Sequence, residues 1–278
     1  MLVAAAALFS TGGAAIKGAS LTAWQVAFGR SIIAAITLWI LIPEARRRWS
    51  LRVAPVAAAY GATLVLFVLA NRLTTAANAI FLQSAAPLYL LLLSPWLLKE
   101  PIRRSDVLYI VAVAGGLALF FLQTEKAVGT APNPALGDAL GALSGVRYAL
   151  TLAGLRWLGR GKTGDPGIAT VAMGNLMVAA VVLPMALPVA QVGVKDAAVM
   201  LYMGIFQVGL AYVLVTRALK QVPAFEANTI LLVEPALNPV WVWLIHGEKP
   251  GGWALAGGAV ILGATLFNSW RQSAGGLG

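Results

Sequence analysis

The sequence predicts an all-α integral membrane protein of ten transmembrane helices, arranged as two five-helix repeats that insert with opposite topology. Three observations carry that expectation. Of 278 residues, 60% are hydrophobic and 11% charged, with a mean hydropathy of +0.83, whereas a soluble domain is about a quarter charged. The apolar residues come in blocks long enough to cross ~30 Å of hydrocarbon, which takes roughly 20 residues of helix. The second half of the chain also repeats features of the first at a fixed offset.

Apolar runs between charged or turn-rich breaks cover approximately 2–17, 22–42, 53–71, 76–98, 106–123, 136–158, 167–189, 196–217, 224–245 and 252–270. None alternates as a barrel strand does, and a helix satisfies its own backbone in lipid. The first run is short, but it lacks the basic leader of a signal peptide, and the repeat requires it as a span. With the N-terminus inside, inner loops and the C-terminal end hold Arg46, Arg47, Arg48, Arg52, Lys99, Arg103, Arg104, Arg156, Arg160, Lys162, Arg217, Lys220 and Arg271. Outer loops hold only Lys17, Arg72, Lys126, Lys195 and Lys249. That bias places both termini in the cytoplasm. It also accounts for the net charge of +10 without nucleic acid.

The repeat is read by sliding the chain on itself. Ala70 falls on Ala218, Pro87 on Pro235, Glu100 on Glu248 and Gly115 on Gly263, each 148 residues on. The stretch PLYLLLLSPWLLKE lies over PALNPVWVWLIHGE. Five spans per half is an odd number, so the second half enters the membrane upside down, a device of secondary transporters with a midplane site between halves. The predicted organisation is a first repeat over 1–123, a linker loop over 124–135, a second repeat over 136–270 and a tail over 271–278.

Several chemistries are excluded at this level. There is no cysteine and one histidine, His246, so neither disulfides nor thiolate metal sites exist and a His-based metal site is not expected. No GxxxxGK[ST] loop occurs, which excludes ATP-driven transport by this chain alone. The spans hold no paired acids, HExxH or Ser/His/Asp set, so an enzyme is not expected, and no cofactor is implied. The glycine pairs Gly115–Gly116 and Gly257–Gly258 read as helix packing or a homodimer contact.

Ten spans, two five-span halves and a Pro…Glu pattern closing spans 4 and 9 resemble the drug/metabolite transporter superfamily with paired EamA-type domains. The carrying stretches are AFGRSIIAAI in span 2, ALKQVPAFEANTILLVEPALNPV leading into span 9, and the glutamates Glu100 and Glu248. Within the superfamily the chain most resembles the bacterial YddG-type exporters of aromatic and other amino acids. That resemblance implies a central cavity walled by spans 1–4 and 6–9, with spans 5 and 10 peripheral. It also implies alternating-access export of an amino acid across the inner membrane, and it places Arg30 where the family usually has an arginine.

Polar residues inside the spans are the candidates for substrate contact. An ionisable group near the bilayer centre costs on the order of 2.5–3.5 kcal/mol on insertion scales, so Glu234 needs a reason. Asn238 and Trp241 follow it at i+4 and i+7 on one helical face. Pro235 and Pro239 each free a carbonyl one turn earlier. The group suits an ammonium or a proton; the other reading is an ion pair with a buried arginine. Two arginines lie in the spans, Arg30 and Arg147, so one positive charge is left to meet a substrate carboxylate, unless Arg30 snorkels to the interface. Span 4 offers Asn78 and Gln83 but no acid, and Asn228 lies near the start of span 9. Asn and Gln also serve merely as hydrogen-bonded contacts between helices. Tyr148 and Tyr212 are deep enough to line a cavity, while Trp24, Trp39, Trp49, Trp96 and Trp270 suit an interfacial belt. Pro87 and Pro235, at matched positions, read as hinges or as matched kinks.

Overall fold

The computed structural model describes residues 1–47, 49–97, 104–122, 127–159, 167–189, 192–218 and 230–275, and these are helical apart from short connections and one isolated bridge between Val128 and Ala131. The helices are α1 (Leu2–Ser10), α2 (Gly12–Gly18), α3 (Ala23–Leu41), α4 (Val53–Leu73), α5 (Ala76–Ser84), α6 (Ala86–Leu97), α7 (Arg104–Leu122), α8 (Pro134–Gly159) and α9 (Gly167–Ala186). They continue with α10 (Val194–Leu201), a π-helical segment (Tyr202–Leu210), α11 (Ala211–Ala218), α12 (Val233–His246) and α13 (Gly252–Gly275). Glu100 and Asn228 lie outside the described residues.

Among the described residues, six helices are long and apolar enough to cross a bilayer: Ala23–Leu41, Val53–Leu73, Ala76–Trp96, Gly167–Ala186, Val194–Val215 and Gly252–Arg271. Two shorter apolar ones cover Leu2–Gly18 and Asp106–Leu122. The expected sixth span, α8, is long enough but interleaves Asp138, Arg147, Arg156 and glycines with its apolar residues. Of the expected ninth, the continuous described helix is the 14 residues of α12.

Three of the helical rods are interrupted, and each interruption has a local cause. Between α1 and α2, the hydroxyls of Ser10 and Thr11 donate to the carbonyls of Ala7 and Leu8, both at 2.7 Å, an alternative to the helical ladder that bends helices. Between α5 and α6, Pro87 withholds the N–H that the carbonyl of Gln83 would receive, and the helix breaks at Ala85. Pro235 acts likewise on Leu231, and the backbone turns at Leu232. Two helices start on side-chain caps: Thr22 and Gln25 form a capping box at α3, and Thr75 caps α5, satisfying donors left open at a helix start.

The helices pack as one bundle in which α4 lies along α8 and α9, α3 along α9 and the π segment, and α1 and α5 against α12. Helices α7 and α13 lie chiefly against each other at the periphery, where the resemblance places spans 5 and 10. Two crossings are backbone-close. A methyl group on Gly174 would stand 2.5 Å from the Tyr60 ring and 2.7 Å from the Ala57 carbonyl oxygen, and one on Gly61 would stand 3.1 Å from Gly174 O. A methyl on Gly257 would meet Gly116 O at 2.6 Å. Gly116, Gly257 and Gly258, which would meet Phe81 at 2.6 Å, thus serve packing within the chain. Trp39, Trp96 and Trp270 are 45%, 79% and 65% exposed, as an interfacial belt requires. Trp24 instead packs half-buried against the main core.

Candidate functional site

The interruptions and the π segment converge on a cavity. It is lined by Phe9 from the last turn of α1, Arg30 from the middle of α3, and Tyr60, Thr63, Leu64 and Phe67 from α4. The last turn of α5 gives Ile80, Gln83 and Ser84, and α8 gives Tyr148. Gln207 and Val208 come from the π segment, Tyr212 from α11, and Glu234 and Pro235 from the first turn of α12. A continuous α-helix in lipid keeps its backbone groups to itself; a broken one presents them, which is why such breaks mark sites in membrane transporters.

The electrostatics of the cavity are unbalanced in a specific way. Arg30 is 3% exposed, yet its Nε and Nη1 have no hydrogen-bond partner. It stands beside Tyr60 and Tyr212. Glu234 lines the same cavity and makes no ion pair with Arg30. A buried charge without a partner is costly, and the half-buried carboxyl of Glu234 faces the same space as the Arg30 guanidinium. Two amides add open acceptors: Gln83 Oε1 and Gln207 Oε1 are buried without donors, although Gln207 Nε2 reaches the Phe9 carbonyl at 3.5 Å.

The aromatic wall is braced. Tyr212 packs edge-on against Phe9 at 5.2 Å and Tyr60 at 5.8 Å between ring centroids, the geometry that aromatic quadrupoles favour. The hydroxyls of Tyr60 and Tyr212 are hydrogen-bonded, and Asn175 Nδ2 donates to Tyr60 Oη at 3.3 Å.

The structure brings Arg30, Gln83, Tyr148, Tyr212, Glu234 and Pro235 together, and leaves other candidates elsewhere. Asn238 shares the face of Glu234, but α1 and α2 cover that face one turn on. It is fully buried, its side-chain oxygen 2.5 Å from where a Gly13 methyl would lie, and neither amide atom has a partner. Trp241 donates to Ser10 Oγ at 2.9 Å. Asn78 donates to Asp138 at 3.0 Å, away from the cavity. Arg147 corrects the expectation most clearly: it is exposed on the outside of α8, 100° around the helix from Tyr148, because consecutive helical residues cannot share a face. Pro87 sits at the α5–α6 break without lining the cavity. Sequence reasoning passed over Phe9, Tyr60 and Thr63. For Tyr60 a signal exists: a lone tyrosine within an apolar span, next to Gly61.

Comparison with known proteins agrees with this architecture. The sequence model of the EamA-like transporter family matches residues 1–122 and 135–270. A solved structure titled only "Crystal structure of protein" superposes with a TM-score of 0.61 and 19% identity, over 97% of this chain and 96% of that one, a likeness of fold. No curated protein matches by sequence.

Proposed function

The chain belongs to the EamA-like transporter family, and on that premise we propose that it is a secondary transporter exporting amino acids, aromatic and hydrophobic ones foremost, across the bacterial inner membrane. The observation that carries the reading is an unpartnered buried guanidinium and a carboxyl on the walls of one cavity. Arg30 and Glu234 face one cavity and do not pair with each other, and a zwitterion brings the missing partner of each. Its carboxylate takes the guanidinium, for which a fork of donors is well shaped, and its ammonium takes Glu234. Phe9, Tyr60, Tyr148 and Tyr212 then offer an apolar and aromatic wall to the side chain, the usual lining of a small-molecule site.

The mechanism in this reading is alternating access by ten spans in two inverted halves, with both termini in the cytoplasm. Support for the inversion comes from the matched helix breaks. Ala85 and Leu232 are 147 residues apart, within one residue of the repeat offset, and each precedes its proline by two or three positions. Pro87 and Pro235 are the hinges of this scheme, and Asn228 an additional substrate contact. A proton on Glu234 is the proposed coupling ion.

The test is uptake of a labelled amino-acid panel into proteoliposomes, with and without an imposed pH gradient. Saturable uptake of hydrophobic amino acids is expected, lost in Arg30→Met. Stimulation by the gradient identifies proton coupling. Folded protein that moves no amino acid transfers the cavity to another zwitterionic or amphipathic metabolite.

A further inference from the structure

Of four buried carboxylates outside the cavity among the described residues, Asp106 pairs with Arg271 at one end of the bundle, and the other three gather at the opposite end, each with a partner. Helix α12 closes on Gly247 in the left-handed conformation (φ 67), which glycine adopts at little cost. The turn carries Glu248 over the start of α5. Its Oε1 accepts the Ala76 N–H at 2.7 Å, and its Oε2 stands 2.7 Å from Lys17 Nζ, with both side chains at most 5% exposed. Lys17 Nζ also donates to the carbonyls of Thr74, at 3.0 Å, and Thr130. Asp138, 5% exposed, accepts from Thr74 Oγ1 at 2.7 Å and Asn78 Nδ2 at 3.0 Å. Asp196, 3% exposed, accepts from the N–H and hydroxyl of Ser20.

The arrangement has a direction. All three carboxylates come from the second half of the chain. The donors on Lys17, Ser20, Thr74, Ala76 and Asn78 come from the first, and only Asp196 adds a backbone donor, Gly193, from its own half. All lie where α2, α4 and α12 end and α5, α8 and α10 begin, the end that the Lys and Arg bias sets outside. The chemistry suits a seam that opens. A buried ion pair adds little to stability over an apolar pair of the same size, because each ion gave up its hydration. When the seam parts into water that hydration returns, whereas an apolar seam would expose its surface at about 25 cal/mol per Å².

We propose that Lys17, Asp138 and Glu248 form the outer gate of the transport cavity. They are joined while the cavity is closed to the outside and parted for release there. The gate rests on the transporter reading of the cavity, but its test needs no cargo. The chain contains no cysteine, so Thr63→Cys, on the cavity wall, reports access through its reaction with a membrane-impermeant maleimide. In right-side-out vesicles the single variant is expected to label slowly from outside. Adding Lys17→Ala or the gentler Glu248→Gln is expected to raise that rate at least about tenfold, by shifting the population towards the open end. Glu248→Gln keeps an acceptor for Ala76 and carries the test if Lys17→Ala does not elute as folded protein. Unchanged outside labelling in a folded variant overturns the gate and leaves the amino-acid reading standing. A rise confined to inside-out vesicles also overturns it, since the seal would then face the cytoplasm.

Discussion

The cavity and the end of the bundle that carries Glu248, the outer end in the proposed orientation, bury the same kinds of side chain to opposite effect. At the outer end Glu248, Asp138 and Asp196 each meet donors from the other half of the chain. In the cavity Arg30 and Glu234 face a common space, and neither answers the other. Matched charges hold two parts of a protein in register. Unmatched ones cost free energy until another molecule matches them, and a fold keeps such a cost where binding recovers it. In the proposed transporter, the difference separates residues that close the molecule from residues that wait for cargo.

If that division holds, changing cavity charge alters transport and spares stability. Glu234→Gln is expected to weaken transport about ten- to a hundredfold, the range lost with a charge-assisted hydrogen bond, with the melting temperature in detergent held or raised. A transport rate equal to the parent's, at any external pH, would break the comparison at its centre. At the outer end the reverse is expected. Asn78→Ala removes one of two side-chain donors from buried Asp138 and should cost roughly 1.5–3 kcal/mol of stability, read as a lower melting temperature while amino-acid binding by the purified protein persists. Gly174→Ala tests the frame between the two regions. Its methyl group would press on Tyr60 and the Ala57 carbonyl, an overpacking worth about 1–3 kcal/mol. Retained stability in that variant would show that α4 and α9 can separate freely. Arg147→Leu is the smallest change, within about 0.5 kcal/mol in stability and without effect on uptake. A transport defect there would move the carboxylate site out of the cavity.

Position along a helix was legible in the sequence; facing was not. Glu234, Arg30, Gln83, Tyr148 and Tyr212 were found as polar or aromatic residues deep in apolar runs, and all reach the cavity. The same criterion selected Asn238, Asn78 and Arg147, which do not. A helix that is apolar on every side has no polar face to orient it, so a lone polar residue gives its height but not its direction. Arg147 and Tyr148 are adjacent in sequence and point to different surroundings for that reason. The cluster of Lys17, Asp138 and Glu248 was missed because its members sit at span ends, where charge is unremarkable. The only hint was Lys17, a basic residue on the poorly basic side, with Glu248 as the acid closing span 9. The helix breaks were better announced, since a proline inside an apolar run states which carbonyl goes unpaired.

The glycine crossings described above have a mechanical consequence. Where Gly61 meets Gly174 and Gly116 meets Gly257, two backbones touch with no side chain between them to flex. Such a line resists shear but tolerates tilt, so in the alternating-access mechanism proposed above it would serve as a fulcrum. Two bodies hinged at mid-height behave as a seesaw: separating the outer ends brings the inner ends together. In that mechanism no signal would be needed to keep both mouths from opening at once, because the lever forbids it.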